Sequence, residues 1–236
     1  MNHRIHNRFA HGVFTCASLG AMALVAIPVA QAGDLQNAGE CAPQEYAMAL
    51  RYQQQSAEIE ALQRQNYALA TARLQQKIAD HPDADKLAIM TDLDETVIDN
   101  SALLVRDMQA CHDFTAWDTW KIWEQDGHPR LIPGARAFLD YADAHGVTIF
   151  YVSDRYQENK SATLATLESL RLPQVTEEQV RLLGPSKAER RAAIQRDYQL
   201  VLQLGDSLAD FAGDFHHASL DAQHALVAEQ AEHLGD

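Results

Sequence analysis

The sequence is short of basic residues, and this scarcity excludes one broad class of partner. It has 19 Lys and Arg against 33 Asp and Glu, so its formal net charge at pH 7 is -14. Such a balance disfavours DNA and RNA, because nucleic-acid affinity depends on many Lys and Arg contacts to phosphates. A small phosphate-bearing molecule is still a suitable ligand, since a local Lys or a bound cation can override the overall charge. We therefore predict no nucleic-acid partner and a small-molecule substrate.

Long apolar runs are also scarce, and the one candidate lies at the amino terminus. Residues 13–30 are largely apolar but are interrupted by Pro28, and two arginines precede them. A membrane-spanning helix needs about 20 consecutive apolar residues. The triplet Ala30-Gln31-Ala32 has the small-residue pattern of a signal-peptidase site. We predict that residues 1–32 are a signal peptide, that the mature chain is periplasmic or secreted, and that no stable membrane span remains after cleavage. A retained membrane anchor is the alternative.

Cysteine is rare as well, with three residues in the whole chain. Cys16 lies within the predicted signal peptide, which leaves Cys41 and Cys111. Two isolated cysteines do not make a metal site of their own. In an oxidising compartment they are suited to a disulfide. Two unrelated free thiols are the alternative, and the sequence does not separate the two.

Glycine and proline are absent from residues 44–80. Strong helix formers dominate this stretch, and its apolar residues recur at near-helical spacing. We predict one long amino-terminal helix, broken at most once, with its apolar stripe against the main domain. A coiled-coil helix is the alternative, although the heptad pattern is not strict.

Apolar runs alternate with helical patterns in the rest of the chain. This alternation predicts an α/β fold with a doubly wound, mostly parallel sheet. A further helix is expected to begin over residues 208–215, with residues 222–234 as its candidate continuation. The predicted strands are residues 87–91, 147–152, 179–183 and 200–204.

Residues 102–130 have the features of an insertion that forms a small helical cap. They follow the first predicted strand directly and contain Trp117, Trp120 and Trp123. Because these aromatics repeat every three residues, packing explains at least two of them. The remaining one is available to line a substrate pocket.

Two acidic side chains, Asp92 and Asp94, follow the first predicted strand. Residues i and i+2 of an extended segment point to the same side, and the carboxyl end of a parallel strand is a common ligand site. Close carboxylates repel each other unless one is protonated or a cation lies between them. A hard cation held by few carboxylates is typical of Mg²⁺. One Asp could then act as a nucleophile and the other as an acid and base. A solvated acidic turn is the alternative.

The other predicted strands are also followed by reactive groups. Ser153 comes after the second, Lys187 after the third, and Asp206 and Asp210 after the fourth. Each alone is more typical of a helix cap or a solvated helix start. Together they supply the nucleophile, acid, oxygen donors and metal ligands that phosphoryl transfer requires.

The segments that carry these groups resemble the four motifs of the haloacid dehalogenase-like (HAD) superfamily. The matching segments are DLDETVIDNS at 92–101, YVS at 151–153, Lys187, and GDSLADF at 205–211. More narrowly they resemble the class C (DDDD) acid phosphatases and 5′-nucleotidases, over about residues 45–235. The resemblance implies a HAD-like Rossmannoid fold and catalysis on phosphomonoesters.

The resemblance also implies roles for the residues of the first three motifs. Asp92 would be the nucleophile that forms an aspartyl-phosphate. Asp94 would be the general acid and base. Both would belong to the Mg²⁺ ligand set, Asp94 through its backbone carbonyl. Ser153 and Lys187 would hold the phosphoryl oxygens.

The remaining roles fall on the fourth motif and the insertion. By the same resemblance, Asp206 would ligate the metal. Asp210 would orient a metal-bound water or the lysine of the third motif. Trp120 is the candidate for stacking on a nucleoside or aryl leaving group.

Taken together, residues 33–236 are predicted to be a phosphatase domain of an exported, Mg²⁺-dependent acid phosphatase. Its substrates would be phosphomonoesters, with nucleoside monophosphates among the candidates. A phosphotransferase using the same intermediate is an alternative, and a homodimer is a further hypothesis. The chain ends 25 residues after Phe211, where family members normally continue. We therefore expect a truncated carboxyl terminus, which leaves a non-catalytic binding module as another alternative.

Overall fold

The computed structural model describes residues 41–82 and 85–230, so the predicted signal peptide at residues 1–32 lies outside the described residues. The strands are β1 (Leu87–Thr91), β2 (Ile98–Asp99), β3 (Arg130–Leu131), β4 (Thr148–Val152), β5 (Val180–Arg181) and β6 (Gln199–Leu204). The helices are α1 (Ala47–Gln55), α2 (Ala57–Asp80), α3 (Ser101–Gln109), α4 (Asp118–Asp126), α5 (Ala135–Ala144), α6 (Lys160–Ser169), α7 (Lys187–Gln195) and α8 (Leu220–Glu229). Within these described ranges, no helix is both long enough and apolar enough to cross a membrane.

The main sheet has four parallel strands in the order β5-β4-β1-β6. Ile89 of the central strand β1 is in register with Ile149 on one side and Leu202 on the other. Because all four strands run the same way, their carboxyl ends share one edge of the sheet. The predicted doubly wound, parallel α/β fold is confirmed.

Successive residues of β1 face opposite sides of the sheet and enter two different clusters. Met90 packs in a small cluster with Ile194 of α7. On the opposite face, Ile89 belongs to the larger cluster, whose members include Leu74 of α2, Phe138 of α5 and Leu167 of α6. Each such side chain contributes about 1.5–3 kcal/mol on burial. The core therefore fixes β1, and with it the start of the loop that follows.

The predicted amino-terminal helix is present, and it is broken once at Ser56. This residue is extended, with ψ 129°, and its hydroxyl caps the start of α2. Farther along α2, the Tyr67 hydroxyl donates a 2.7 Å hydrogen bond to the carbonyl of Thr96. The Tyr67 side chain also packs closely against the backbone of Gly134, which has φ +98°. Only glycine fits there, because a Cβ on residue 134 would lie 2.8 Å from the Tyr67 Cβ. Helix α2 thus holds the loop after β1.

Strands β2 and β3 form a small antiparallel pair at the two ends of the segment predicted as an insertion. Ile98 pairs with Leu131 and Asp99 with Arg130, so the chain leaves and returns at neighbouring points. Helices α3 and α4 lie between them. A disulfide joins Cys41 to Cys111 just after α3, which settles the pairing that the sequence left open.

The prediction of a helix from residue 208 to residue 215 is wrong. Two separate 3-10 turns, Leu208–Asp210 and Gly213–Phe215, stand in its place. The Asp210 carboxylate returns to the backbone N–H of Ser207 at 3.0 Å, which closes a single capped turn. Ala212 is extended, with ψ 135°, and this ends any continuation.

Candidate active site

Every predicted site residue except Trp120 lies at the carboxyl edge of the parallel sheet, and direct contacts join five of them in two groups. The Lys187 ammonium bonds to the Asp92 and Asp210 carboxylates, and the Ser153 hydroxyl bonds to Asp94. An oxygen of Asp206 lies within 4.8 Å of oxygens of Asp92 and Asp210. This convergence follows from the topology, because parallel strands deliver their carboxyl ends to one edge.

The Asp92 carboxylate is almost enclosed, at 5% exposure. Its backbone N–H donates to the Leu204 carbonyl at 2.9 Å, so β6 fixes its position. Its Oδ1 accepts a 2.6 Å hydrogen bond from Lys187 Nζ. Burial, together with the charges of Asp210 and Asp94, raises the pKa of Asp92 well above its usual value, although Lys187 opposes this. A desolvated carboxylate in a fixed position is suited to nucleophilic attack.

Lys187 begins α7, directly after the Ser186 cap that Glu189 completes. Burial alone would lower the pKa of Lys187, but the Asp92 and Asp210 carboxylates raise it above its usual value. The ammonium therefore stays charged. One positive group here faces two buried carboxylates.

Asp92, Asp206 and Asp210 each offer one carboxylate oxygen, and these oxygens all lie within 4.8 Å of one another. Asp206 is exposed, yet partial desolvation and the Asp210 charge raise its pKa. The single positive charge of Lys187 does not balance the negative charges of three carboxylates. Because hard oxygen donors with excess negative charge are what a divalent cation requires, the donor set fits such an ion.

Asp94 is held by donors from three different residues. Its carboxylate receives hydrogen bonds from Arg155 Nε and Nη2, at 2.8–3.1 Å, and from the Ser153 hydroxyl at 3.0 Å. Asn100 Nδ2 adds another at 2.9 Å. Arg155 is only 2% exposed and the Asp94 side chain is 20% exposed, so the guanidinium is desolvated while the carboxylate keeps some contact with solvent. Arg155 was not among the predicted site residues, although its spacing of two residues from Ser153 was a usable signal.

Ser153 is fully buried at the end of β4. Its hydroxyl donates to Asp94 Oδ2 and accepts from the Arg155 backbone N–H at 3.1 Å. Arg190 of α7 holds its carbonyl at 2.7 Å. A serine hydroxyl has one proton to donate. It must therefore leave Asp94 in order to donate to a ligand oxygen.

Glu95 and Asn100 are two further site residues that the sequence analysis did not assign. The Asn100 backbone N–H donates to Glu95 Oε1 at 2.8 Å. Burial, with the neighbouring Asp94 charge, raises the pKa of Glu95 to about 8. Both residues occur in the segment quoted for its resemblance, but nothing in their spacing indicates a role.

Trp120 is buried within α4, and its ring lies 5.6 Å from that of Trp117. Its indole N–H has no hydrogen-bond partner among the residues that the structure describes. The indole that contacts the site is Trp123, whose Nε1 donates to Asn100 Oδ1 at 2.8 Å. The stacking role of Trp120 stays a prediction.

The comparisons with known proteins all identify acid phosphatases. The sequence model of the HAD superfamily, subfamily IIIB (Acid phosphatase) matches residues 22–230. Two solved structures of the class C acid phosphatase from Bacillus anthracis are each 30% identical to the chain. One, with tungstate bound, has a TM-score of 0.78 and aligns 83% of this chain with 82% of that chain. The other has a TM-score of 0.75 and aligns 82% of this chain with 81% of that chain.

The family match, the fold and the acidic cluster at the sheet edge all indicate the same family of enzymes. HAD phosphatases use a divalent metal, and the Asp cluster supplies ligands of the right kind. The chain belongs to the HAD superfamily, subfamily IIIB, and is an acid phosphatase that hydrolyses phosphomonoesters.

Proposed function

We propose that this acid phosphatase is an exported, Mg²⁺-dependent enzyme that acts through an aspartyl-phosphate on Asp92. Its substrates would be small phosphomonoesters, with nucleoside monophosphates among them. The observation that carries the proposal is the contact of Lys187 with both Asp92 and Asp210 inside the acidic cluster. That contact places a fixed positive charge beside the proposed nucleophile, where a phosphoryl group would have to bind.

The first half of the reaction uses Asp92 and Asp94. A carboxylate oxygen of Asp92 attacks phosphorus, and the bond from phosphorus to the ester oxygen breaks with its electron pair on oxygen. Asp94, protonated at this stage, gives its proton to that oxygen, so the alcohol leaves neutral. The phosphoryl group remains on Asp92.

The second half restores the enzyme. A water oxygen attacks phosphorus, and Asp94 takes the proton that the water loses. The bond from phosphorus to Asp92 breaks and returns its electron pair to the carboxylate. Inorganic phosphate then leaves, and Asp94 is protonated for the next cycle.

Ser153 and Lys187 are the proposed donors to the phosphoryl oxygens. Lys187 already lies 2.6 Å from Asp92, so its ammonium can contact a group bonded there. The Ser153 hydroxyl would turn from Asp94 Oδ2 to a phosphoryl oxygen. That turn also frees an oxygen of Asp94 for proton transfer.

The residues that would hold Mg²⁺ are Asp92, Asp206 and the backbone carbonyl of Asp94, with Asp210 beside them. When bound, the cation would offset the negative charges of the carboxylates and the phosphoryl group. Export is supported by the disulfide between Cys41 and Cys111, because such bonds persist in oxidising compartments. Trp120 is the proposed contact for the leaving group.

The test is phosphate release from p-nitrophenyl phosphate and from nucleoside monophosphates, with Mg²⁺ and with a chelator. Activity should require the metal. Asp92→Asn should lose activity by several orders of magnitude, because no other group can form the covalent intermediate. Asp221→Asn removes an exposed charge at the start of α8 and is the matched control. Full activity of Asp92→Asn, or of chelated enzyme, would contradict the proposal.

A further inference from the structure

The side-chain amide of Asn100 is fully buried between the active site and α4. Its Nδ2 donates to Asp94 Oδ1 at 2.9 Å and to Glu95 Oε2 at 3.3 Å. Its Oδ1 accepts from Trp123 Nε1 at 2.8 Å and from Arg155 Nη2 at 3.4 Å. The amide thus bridges the carboxylate assigned to proton transfer and an indole of α4.

These partners allow only one orientation of the amide. The Trp123 indole and the Arg155 guanidinium can only donate, and Asp94 Oδ1 accepts from Arg155 as well as from Asn100. A flipped Asn100 would turn its NH2 group towards these two donors and its oxygen towards Asp94 Oδ1. Because the site is desolvated, each mismatch would be costly. The amide is therefore a rigid link.

Helix α4 is itself fixed on both sides of this link. A Cβ on Gly127 would lie 2.4 Å from the Trp123 ring, so only glycine lets the indole lie against the chain at this point. The Arg106 guanidinium lies over the same ring, 6.0 Å from its centroid. The buried Glu124 carboxylate accepts from the Tyr156 backbone N–H at 3.0 Å. Trp123 is thus a fixed support for Asn100.

We propose that Asn100 is a positioning residue, which holds the Asp94 carboxylate in place for proton transfer and is itself held by Trp123. This inference rests on the acid and base role proposed for Asp94. The Ser153 hydroxyl leaves Asp94 when it turns to the phosphoryl group, so Asn100 and Arg155 are the donors that then keep the carboxylate oriented. A general acid must lie within hydrogen-bond reach of the leaving oxygen, and small displacements reduce the rate steeply.

Such a role has a signature that a purely structural role lacks. A good leaving group such as p-nitrophenol departs with little help from a proton, whereas an alcohol depends on it. Misplacing the acid should therefore lower kcat/KM in proportion to the basicity of the leaving group. The value of kcat/KM covers the steps up to leaving-group departure, so it reports this directly.

The experiment compares p-nitrophenyl phosphate, phenyl phosphate and glycerol phosphate at saturating Mg²⁺. Trp123→Phe removes the indole N–H and keeps an aromatic ring. It should lower kcat/KM about 3- to 10-fold for glycerol phosphate and less than about twofold for p-nitrophenyl phosphate. Asn100→Asp has the same shape but places a third carboxylate beside Asp94, so it should show the same trend more strongly. If it fails to fold, Trp123→Phe still decides.

Ile122→Ala is the matched control, because Ile122 precedes Trp123 on α4 and is 60% exposed. It should match the parent for all three substrates. An equal loss for every substrate in Trp123→Phe, or no loss, would overturn the proposal. Asp94→Asn is the reference and should lose about 100-fold or more on glycerol phosphate. If it shows no leaving-group dependence, the proposed role of Asp94 itself is wrong. If Asp94→Asn shows leaving-group dependence and the Trp123 and Asn100 variants do not, only the positioning role of Asn100 is wrong.

Discussion

Replacing Gly205 with alanine should disable the active site and leave the fold intact. A Cβ at this position would lie 2.4 Å from Asp210 Oδ2 and 2.5 Å from Asp210 Cβ. Because the second of these atoms is attached to the backbone, rotation of the Asp210 side chain cannot relieve the clash. The loop after β6 must shift, and Asp210 must move with it.

The expected size of the effect follows from what Asp210 contacts. Its carboxylate bonds to the Lys187 ammonium and to the Ser207 backbone N–H at 3.0 Å. Overpacking of this kind costs about 1–3 kcal/mol, which is less than a typical folding free energy of about 5–15 kcal/mol. A displacement of about 1 Å at a catalytic site can cost about 100-fold in rate. We therefore expect kcat/KM to fall about 100-fold and Tm to fall by about 2–12 °C.

Gly184→Ala is the matched control. Gly184 also follows a strand of the sheet, and a Cβ built there meets no atom within 4 Å. Both variants are assayed with p-nitrophenyl phosphate and melted by circular dichroism. Parent-like kcat/KM in Gly205→Ala, or an equal loss in both variants, would refute the steric reasoning.

Three further perturbations test separate parts of the structure. Asp206→Asn should weaken Mg²⁺ binding at least about tenfold by calorimetry, and unchanged affinity would remove Asp206 from the metal site. Since burial raises the pKa of Glu95 from 4.5 to about 8, the folded metal-free protein keeps a proton there that the unfolded chain has lost. Its stability should therefore fall, by at most about 5 kcal/mol, as the pH rises between those two values. Glu95→Gln should flatten that slope in urea titrations, and an unchanged slope would contradict the shift. The double variant Cys41→Ser, Cys111→Ser removes the disulfide, whose cysteines are 70 residues apart, and should lower the free energy of unfolding by about 4 kcal/mol. An unchanged denaturant midpoint would contradict this.

The sequence was sufficient for the parts of the site that follow directly from strand order. Strand β1 is an apolar run, and Asp92 and Asp94 come next, so their place at the sheet edge could be predicted. Ser153 follows from the same rule applied to β4. The roles of these residues stay predictions, because the geometry places them together without assigning chemistry.

Other parts depend on contacts that a linear pattern does not contain. Arg155 is separated by 61 residues from Asp94, and only the fold reveals that it is buried against that carboxylate. Asn100 has the pattern of an ordinary helix start, yet its amide meets Trp123, 23 residues away. The helix predicted after β6 failed for a local reason, since the Asp210 side chain bonds back to the Ser207 backbone and closes the first turn.

The covalent intermediate on Asp92 can be tested directly by trapping. Enzyme turning over p-nitrophenyl phosphate with Mg²⁺ is quenched with borohydride, which reduces an aspartyl-phosphate to homoserine, and its peptides are analysed by mass spectrometry. We predict homoserine at position 92, dependent on substrate and absent from Asp92→Asn. Full turnover without modification at position 92, or with modification of a different aspartate, would contradict the proposed mechanism.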